Sequence, residues 1–365
     1  MKKVIIFLLI CIPLIGFTQE EIVSTRASFI TKFKFKILTG CVIIENAQIE
    51  NHPDTLNFIF DTGNSGISLD STTVSNLKLN IESSTSFIRG ISGIRKAYFV
   101  KNYSLLLPGL KVDKLNFHVS DYELISSTYG ITIHGIIGNS FFRQFIAQID
   151  YDNQEISIYH PGEFNYPTKG FLIKPMFTSY PTYNVSFKEH IKLNVPSIVD
   201  IGAGVNFIAV ASLNKETPYL KKNKKSYETY VGGLGGKKTM QLTVLDKLKF
   251  GPYAFRKVPI LEFEDDFKLL NYPSLGGILG NDLLRRFNLV LNYPSQVIHF
   301  SPNKYFNDYF DYSYTGMSVY LINHLVTIED IIPNSPAEKA GLLSGDILIA
   351  LNGRLVTNLD EYKRI

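Results

Sequence analysis

The chain repeats itself once, and that repeat limits the fold more than any figure of composition. Gly135-Ile136-Ile137-Gly138-Asn139 recurs as Gly277-Ile278-Leu279-Gly280-Asn281, 142 residues further on. At the same offset Arg143 meets Arg285, Phe145 meets Phe287 and Tyr151 meets Tyr293, and nine of the 24 positions from Gly135 to Ile158 are identical to their counterparts. Two more blocks lie upstream in the same order. Phe87–Gly93 aligns with Tyr230–Gly236, and the apolar run Phe58-Ile59-Phe60-Asp61-Thr62-Gly63 aligns with Ser197-Ile198-Val199-Asp200-Ile201-Gly202. Three ordered blocks at nearly constant spacing imply two homologous lobes, expected at residues 19–165 and 166–302 and joined near Pro161–Lys169.

Each block has a local reading. The run ending in Asp-x-Gly reads as a buried strand entering a tight turn that needs glycine for close backbone approach. The central block reads as a hairpin with β-rich arms and a glycine-containing tip. The third reads as an apolar strand followed by a short helix (Asn139–Phe145 and Asn281–Phe287), with Asn139 and Asn281 as N-caps. Alternating strands are expected over Gln148–Tyr159 and Leu289–Phe300. Aromatics at 13%, supplied by 21 Tyr and 26 Phe, fit the same mainly β class.

The repeat also carries chemistry. A lone Asp-Thr-Gly is most simply an Asx-type turn, but duplication puts one carboxylate at the same point of each lobe. Lobes packed about a pseudo-twofold axis would bring Asp61 and Asp200 together. Carboxylates about 3 Å apart share a proton, so that one serves as base toward a water while the other donates to a scissile carbonyl.

Apolar-Asp-Thr-Gly, a glycine-tipped hairpin and apolar-apolar-Gly before a helix, each present twice, resemble the pepsin-like and retropepsin-like aspartic peptidases over roughly Phe29 to Pro302. The resemblance implies two β-barrel lobes with an active-site cleft between them and a catalytic pair Asp61 and Asp200. It implies supporting loops built on Thr62, Gly63, Ile201 and Gly202. It implies a flap over the substrate, placed on the first hairpin with Phe87, Gly90, Ser92 and Gly93. A peptide or protein substrate, a monomer, and no metal or organic cofactor are expected. Ile201 departs from the pattern, because the family usually carries a hydroxyl residue there that bonds across the twofold. Thr62 would then lock the loops from one side only. The residues leave a second reading open, in which a peptide-binding protein of the envelope keeps the lobed cleft and has lost turnover through Ile201.

The residues beyond Pro302 change character. A Tyr/Asp-rich linker is expected at 303–314. The segment 315–365 then resembles the PDZ domains of bacterial envelope proteases, through Ile331-Ile332-Pro333-Asn334-Ser335-Pro336-Ala337-Glu338-Lys339-Ala340-Gly341-Leu342, Gly345-Asp346-Ile347-Leu348 and Leu351-Asn352-Gly353. The resemblance implies capture of C-terminal peptide tails by strand addition, with Gly316-Met317-Ser318-Val319 at the carboxylate-binding position. The sequence reaches Ile365 just inside an expected helix near Asn358, so this domain is expected to be incomplete.

Other features narrow the function. Lys2 and Lys3, an apolar stretch from Val4 to Ile15 and Gly16-Phe17-Thr18 read as a signal peptide over 1–18. That predicts an exported protein, periplasmic or extracellular, with no integral membrane segment once the signal is cleaved; an uncleaved N-terminal anchor is the alternative. The net charge of +4 includes those two lysines and is too weak to argue for nucleic acid. Without the leader Cys41 stands alone and is expected to be a buried, inert thiol. Gly232–Thr239 lacks the hydroxyl residue a phosphate loop needs after its lysine. The seven histidines are scattered without a metal-ligand pattern. Lys221–Lys225 is expected to be a solvated basic loop.

Overall fold

A computed structural model describes residues 25–233, 235–270, 274–310 and 315–364; the expected signal segment at 1–18 lies outside them. The molecule is mainly β, and its two halves repeat strand for strand. The sheet of the first half has eight strands, in the order Lys36–Leu38, Cys41–Ile49, Leu56–Phe60, Gly135–Ile137, Ile67–Asp70, Leu110–Ser120, Gly93–Leu107, Glu82–Gly90. The second follows the same order with Met176–Phe177, Pro181–Lys188, Lys192–Val199, Gly277–Leu279, Phe207–Val210, Tyr253–Phe263, Gly236–Phe250, Tyr227–Gly233. One further pairing in each, Gln48 with Leu106 and Ser186 with Lys249, curls the sheet toward a barrel.

This topology delivers the two Asp-x-Gly turns to matching places. Phe58, Ile59 and Phe60 pair in parallel with Gly135, Ile136 and Ile137, while Ser197, Ile198 and Val199 pair with Gly277, Ile278 and Leu279. All but three of these twelve residues are apolar, as strands covered on both faces require. A Cβ on Gly135 would lie 2.4 Å from the Phe58 ring, and one on Gly277 2.3 Å from the Phe207 ring, so both glycines are needed for the close strand approach.

A third sheet joins the halves. Its six strands run Phe29–Lys34, Glu155–Tyr159, Ile146–Asp150, Phe287–Asn292, Val297–Pro302, Phe171–Ile173. The central pair crosses from one half to the other, with Ile146 opposite Asn292 and Ile149 opposite Leu289. A pseudo-twofold axis therefore passes between repeat-related strands, and one continuous apolar core runs through both lobes.

Three expectations are corrected. The helices at Asn139–Phe142 and Asn281–Leu284 are capped by Gly138 and Gly280 with no side-chain cap bond, so Asn139 and Asn281 are first-turn residues. Their amides tie the lobes together instead: Asn139 Nδ2 donates to Ser179 O and Asn281 Nδ2 to Gly40 O, both at 2.7 Å. The basic run at Lys221–Lys225 is partly anchored, because Lys224 pairs with the buried Glu189 at 2.8 Å and Lys221 with Asp246. Residues 303–310 of the expected linker pack against the second half. Tyr305, Phe306 and Phe310 lie on the core, and the buried Arg286 guanidinium sits 4.0 Å from the Phe310 ring and donates to the Tyr305 and Asp308 carbonyls.

The last segment has a small core of its own around Val326, Val356 and Leu359. Strands Met317–Ile322 and Leu325–Ile331 form an antiparallel pair. The helix Pro336–Lys339 starts as its sequence suggests, with Pro336 in the first turn and the Ser335 hydroxyl accepting from Glu338 N at 3.2 Å. This unit rests on the first half. Strand Met317–Ile322 lies along the helix Glu123–Tyr129, and a Cβ on Gly130 would meet Leu359 Cδ1 at 3.0 Å. Lys237 of the second half joins it through ion pairs to Glu329 (2.8 Å) and Asp330 (3.1 Å). Among the described residues no helix is long and apolar enough to cross a membrane.

Candidate active site

Asp61 and Asp200 each follow their strand without a break, held by equal backbone bonds: Asp61 N to Ile137 O and Asp200 N to Leu279 O, both 2.9 Å. Each turn then folds back on its own carboxylate. Gly63 N donates to Asp61 Oδ1 at 2.6 Å and Gly202 N to Asp200 Oδ1 at 2.8 Å. The two carboxyl groups lie within hydrogen-bonding reach of one another. A Cβ on Gly63 would stand 2.2 Å from Asp200 Oδ2, and one on Gly202 2.1 Å from Asp61 Cγ. The turns need glycine because each carboxylate occupies the space where the other turn's side chain would go.

Asp200 is buried and Asp61 is partly open to the cleft. Burial pushes both carboxyls above the ordinary aspartate range, and the neighbouring carboxylate raises Asp61 further. Backbone N–H groups at Gly63, Asn64, Gly202 and Ala203 work against this by stabilising the charged form. The pair therefore holds a proton at pH values where a solvated aspartate has lost it.

The loops are locked from one side. Thr62 Oγ1 donates to Val199 O at 2.7 Å and accepts from Ile201 N at 3.0 Å. Ile201 is fully buried in the shared core and has no polar atom to return the bond. Cys41 supplies a support that the repeated blocks do not contain. Its thiol donates to Gly202 O at 3.0 Å and accepts from the Tyr129 hydroxyl at 2.9 Å. Burial pushes the thiol up to about 12, so it acts as a hydrogen-bonding group and not as a nucleophile.

A cavity of about 220 Å³ lies over the two carboxyls. Its floor is Asp61, Gly63, Asp200 and Gly202, and Ile125, Thr128 and Tyr129 of the helix Glu123–Tyr129 form one wall. The first hairpin was expected to close it alone, yet both hairpins reach it, through Gly90 and Ile91 on one side and Val231 and Gly232 on the other. Their tips touch: Ser92 Oγ donates to Gly236 O at 3.0 Å, and a Cβ on Gly235 would lie 2.9 Å from Gly93 N. Phe87 lies apart from this cavity, largely exposed beside a neighbouring pocket. Gly316, Met317, Ser318 and Val319 are not brought to the carboxyl pair. Met317, Ser318 and Val319 begin the first strand of the small C-terminal unit, and Gly316 just before it, at φ +73°, accepts from Ile332 N at 2.7 Å.

Residues 46–141 match the aspartyl protease family. Residues 327–365 match the PDZ domain family. One curated relative, described as a "Probable serine protease do-like" protein from Buchnera aphidicola subsp. Acyrthosiphon pisum (strain APS), is 32% identical over 60 residues. That alignment covers 16% of this chain and 13% of the relative. The two family matches support a protease that carries a PDZ domain. The aspartyl protease match begins on the strand Cys41–Ile49 and ends on the helix Asn139–Phe142, and thus contains Asp61. Asp200 lies outside it, in the second copy of the repeat.

Sequence reasoning did not find Cys41, Tyr129 or the helix Glu123–Tyr129 as parts of this site. The helix carries Ser126, Ser127 and Thr128, which are indifferent helix formers. Its one local mark is Gly130, the left-handed C-cap at φ +75°.

Proposed function

We propose that the protein is an aspartic endopeptidase in which Asp61 and Asp200 act as one unit, and that the PDZ-like domain binds peptide tails. The observation that carries this is the mutual fit of the two turns, in which each glycine leaves the space that the opposite carboxyl fills. A buried pair that retains one proton has both parts the reaction needs. The charged oxygen takes a proton from a water held between the carboxyls as that water attacks the peptide carbon. The protonated oxygen donates to the carbonyl oxygen as it gains charge. Both groups come from one chain, so a monomer suffices. The proposed domains are lobes at 19–165 and 166–302, with the PDZ-like unit from 315. The basic leader and its apolar stretch favour an exported protein.

The test is cleavage of an unfolded protein by the wild type, Asp61→Asn and Asp200→Asn. Each substitution should lower kcat by about 10²–10⁴-fold, because neither carboxyl alone can be both acid and base. Equal turnover in all three would place the activity elsewhere, and folded wild type without turnover would favour the peptide-binding alternative.

A second outcome follows from the raised carboxyls. The folded pair holds its proton more tightly than the unfolded chain, so wild type is most stable at acid pH and loses stability as pH rises above about 4 toward the folded value. The Asn variants lack part of this loss. Their melting temperatures should exceed that of wild type at neutral pH, with the gap closing at acid pH. A gap of the opposite sign would mean that the pair is ionised and stabilising in the fold.

A further inference from the structure

A second pocket, of about 270 Å³, opens beside the cavity over the carboxyl pair and shares Arg89, Tyr180 and Leu269 with it. Arg89, His118 and Lys268 line it, the first and last as cations and His118 as a ring whose burial favours its neutral form, and among the described residues no acidic side chain does. They come from three separate places: the first hairpin, the strand Leu110–Ser120 and the second half of the molecule. Neither Arg89 nor Lys268 makes an ion pair among the described residues. His118 is wedged against Phe99, ring centroids 4.7 Å apart, and its Nδ1 is buried with no hydrogen-bond partner among the described residues.

Arg89 and Lys268 are both exposed, so water solvates them in the open pocket, and a carboxylate entering it would meet two cations supplied by different halves of the molecule. Some surface lysines pair with carboxylates, as at Lys32–Glu155, Lys36–Glu45 and Lys215–Glu264, and others stand in water as Lys268 does. What distinguishes this pair is its place: among the described residues no acidic side chain lines the pocket, and the pocket opens onto the cleft where an extended peptide would lie. We infer that the pocket selects an acidic side chain of the substrate, Asp or Glu, at a position adjoining the scissile bond. The Arg89 fork and the Lys268 ammonium would take the carboxylate by charge-assisted bonds, with the Ser65 hydroxyl as a neutral partner. This rests on the reading of the cleft as a peptide-cleaving site, and it assigns Arg89 and Lys268 as specificity residues.

The test uses end-blocked octapeptides that differ only in carrying Glu, Gln or Lys at one position, moved along the sequence. Cleavage by wild type gives kcat/KM, and fluorescence anisotropy with the Asp61→Asn protein gives Kd without turnover. At one position Glu should be favoured over Gln by about tenfold in both. Arg89→Glu with Lys268→Glu should invert the order to favour Lys, and the milder Arg89→Gln should bring Glu and Gln together. No Glu preference at any position, or a preference that both variants leave intact, would overturn the inference. A Glu preference in Kd alone, with no peptide cleaved by wild type, would uphold the pocket and remove the peptidase reading.

Discussion

The two lobes agree in backbone and disagree in the side chains that stiffen it. The Asp N–H bonds are equal in length, the cross-lobe amides of Asn139 and Asn281 are equal, and the eight-stranded sheets share one order. The locks differ. Thr62 bonds across the axis and Ile201 does not. The Tyr151 hydroxyl donates to Asn281 Oδ1 at 2.7 Å, whereas the related Asn139 Oδ1 is buried with no hydrogen-bond partner among the described residues. Glu50 and Glu189 follow matching strands, yet Glu50 meets Lys111 in solvent and Glu189 is wholly buried beside Lys224. A duplicated strand framework fixes where two aspartates meet. The means of holding each loop has been free to diverge.

The largest effect on this comparison should come from the buried ion pair. Glu189 is tied by Lys224 at 2.8 Å and by the Asp246 backbone N–H at 2.5 Å, and its other oxygen has only Lys221, at 3.9 Å, and no hydrogen-bond partner among the described residues. Lys224→Met would leave a buried carboxylate without its main counter-charge and should cost about 3 kcal/mol in urea unfolding. Lys111→Met, at the partner of Glu50 in the first lobe, should leave the unfolding midpoint unchanged, because water replaces the lysine there. Equal effects at the two sites would mean that Glu189 is solvated in solution.

A smaller effect should come from the one-sided lock. Thr62→Val keeps the shape of the side chain and strands two buried groups, the Val199 carbonyl and the Ile201 N–H. The expected cost is about 1–3 kcal/mol, with kcat lowered about tenfold as the aspartate loops lose registration. Normal kcat in a destabilised variant would show that the bond serves the fold and not the alignment of the pair.

What the sequence made legible was what the backbone needs. Gly63, Gly202, Gly135 and Gly277 stand where another chain segment passes too closely for a side chain, so each lobe has to repeat them, and their spacing exposes the duplication. Cys41 and Tyr129 reach Gly202 from outside the repeated blocks, and only tertiary approach brings them there. Asn139 and Asn281 show that an asparagine beside a helix start has two uses. Here Gly138 and Gly280 hold the cap position, which frees both amides to cross between lobes. Residues 303–310 read as linker from their Tyr and Asp content, but their aromatic rings are what fix them to Arg286 and the second lobe. Closure by both hairpins was hidden for a similar reason. Two glycine-tipped hairpins look alike in sequence, and nothing local says whether their tips will meet.

The smallest effect should come from repairing the asymmetry. Ile201→Thr puts a hydroxyl where the first lobe already has one, so the pseudo-twofold predicts a bond from the new residue to the Phe60 carbonyl, the counterpart of Val199. One such bond contributes about 1 kcal/mol. Against it stand the lost aliphatic burial at a fully buried site and the cost of a hydroxyl in dry surroundings, together of similar size. The stability change should therefore fall within about 1 kcal/mol of zero, while kcat stays equal or rises because both loops are now locked. Paired urea unfolding and kcat measurements separate the outcomes. A folded variant with much lower kcat would mean that the aliphatic contact of Ile201, and not a missing hydroxyl, sets the position of Asp200.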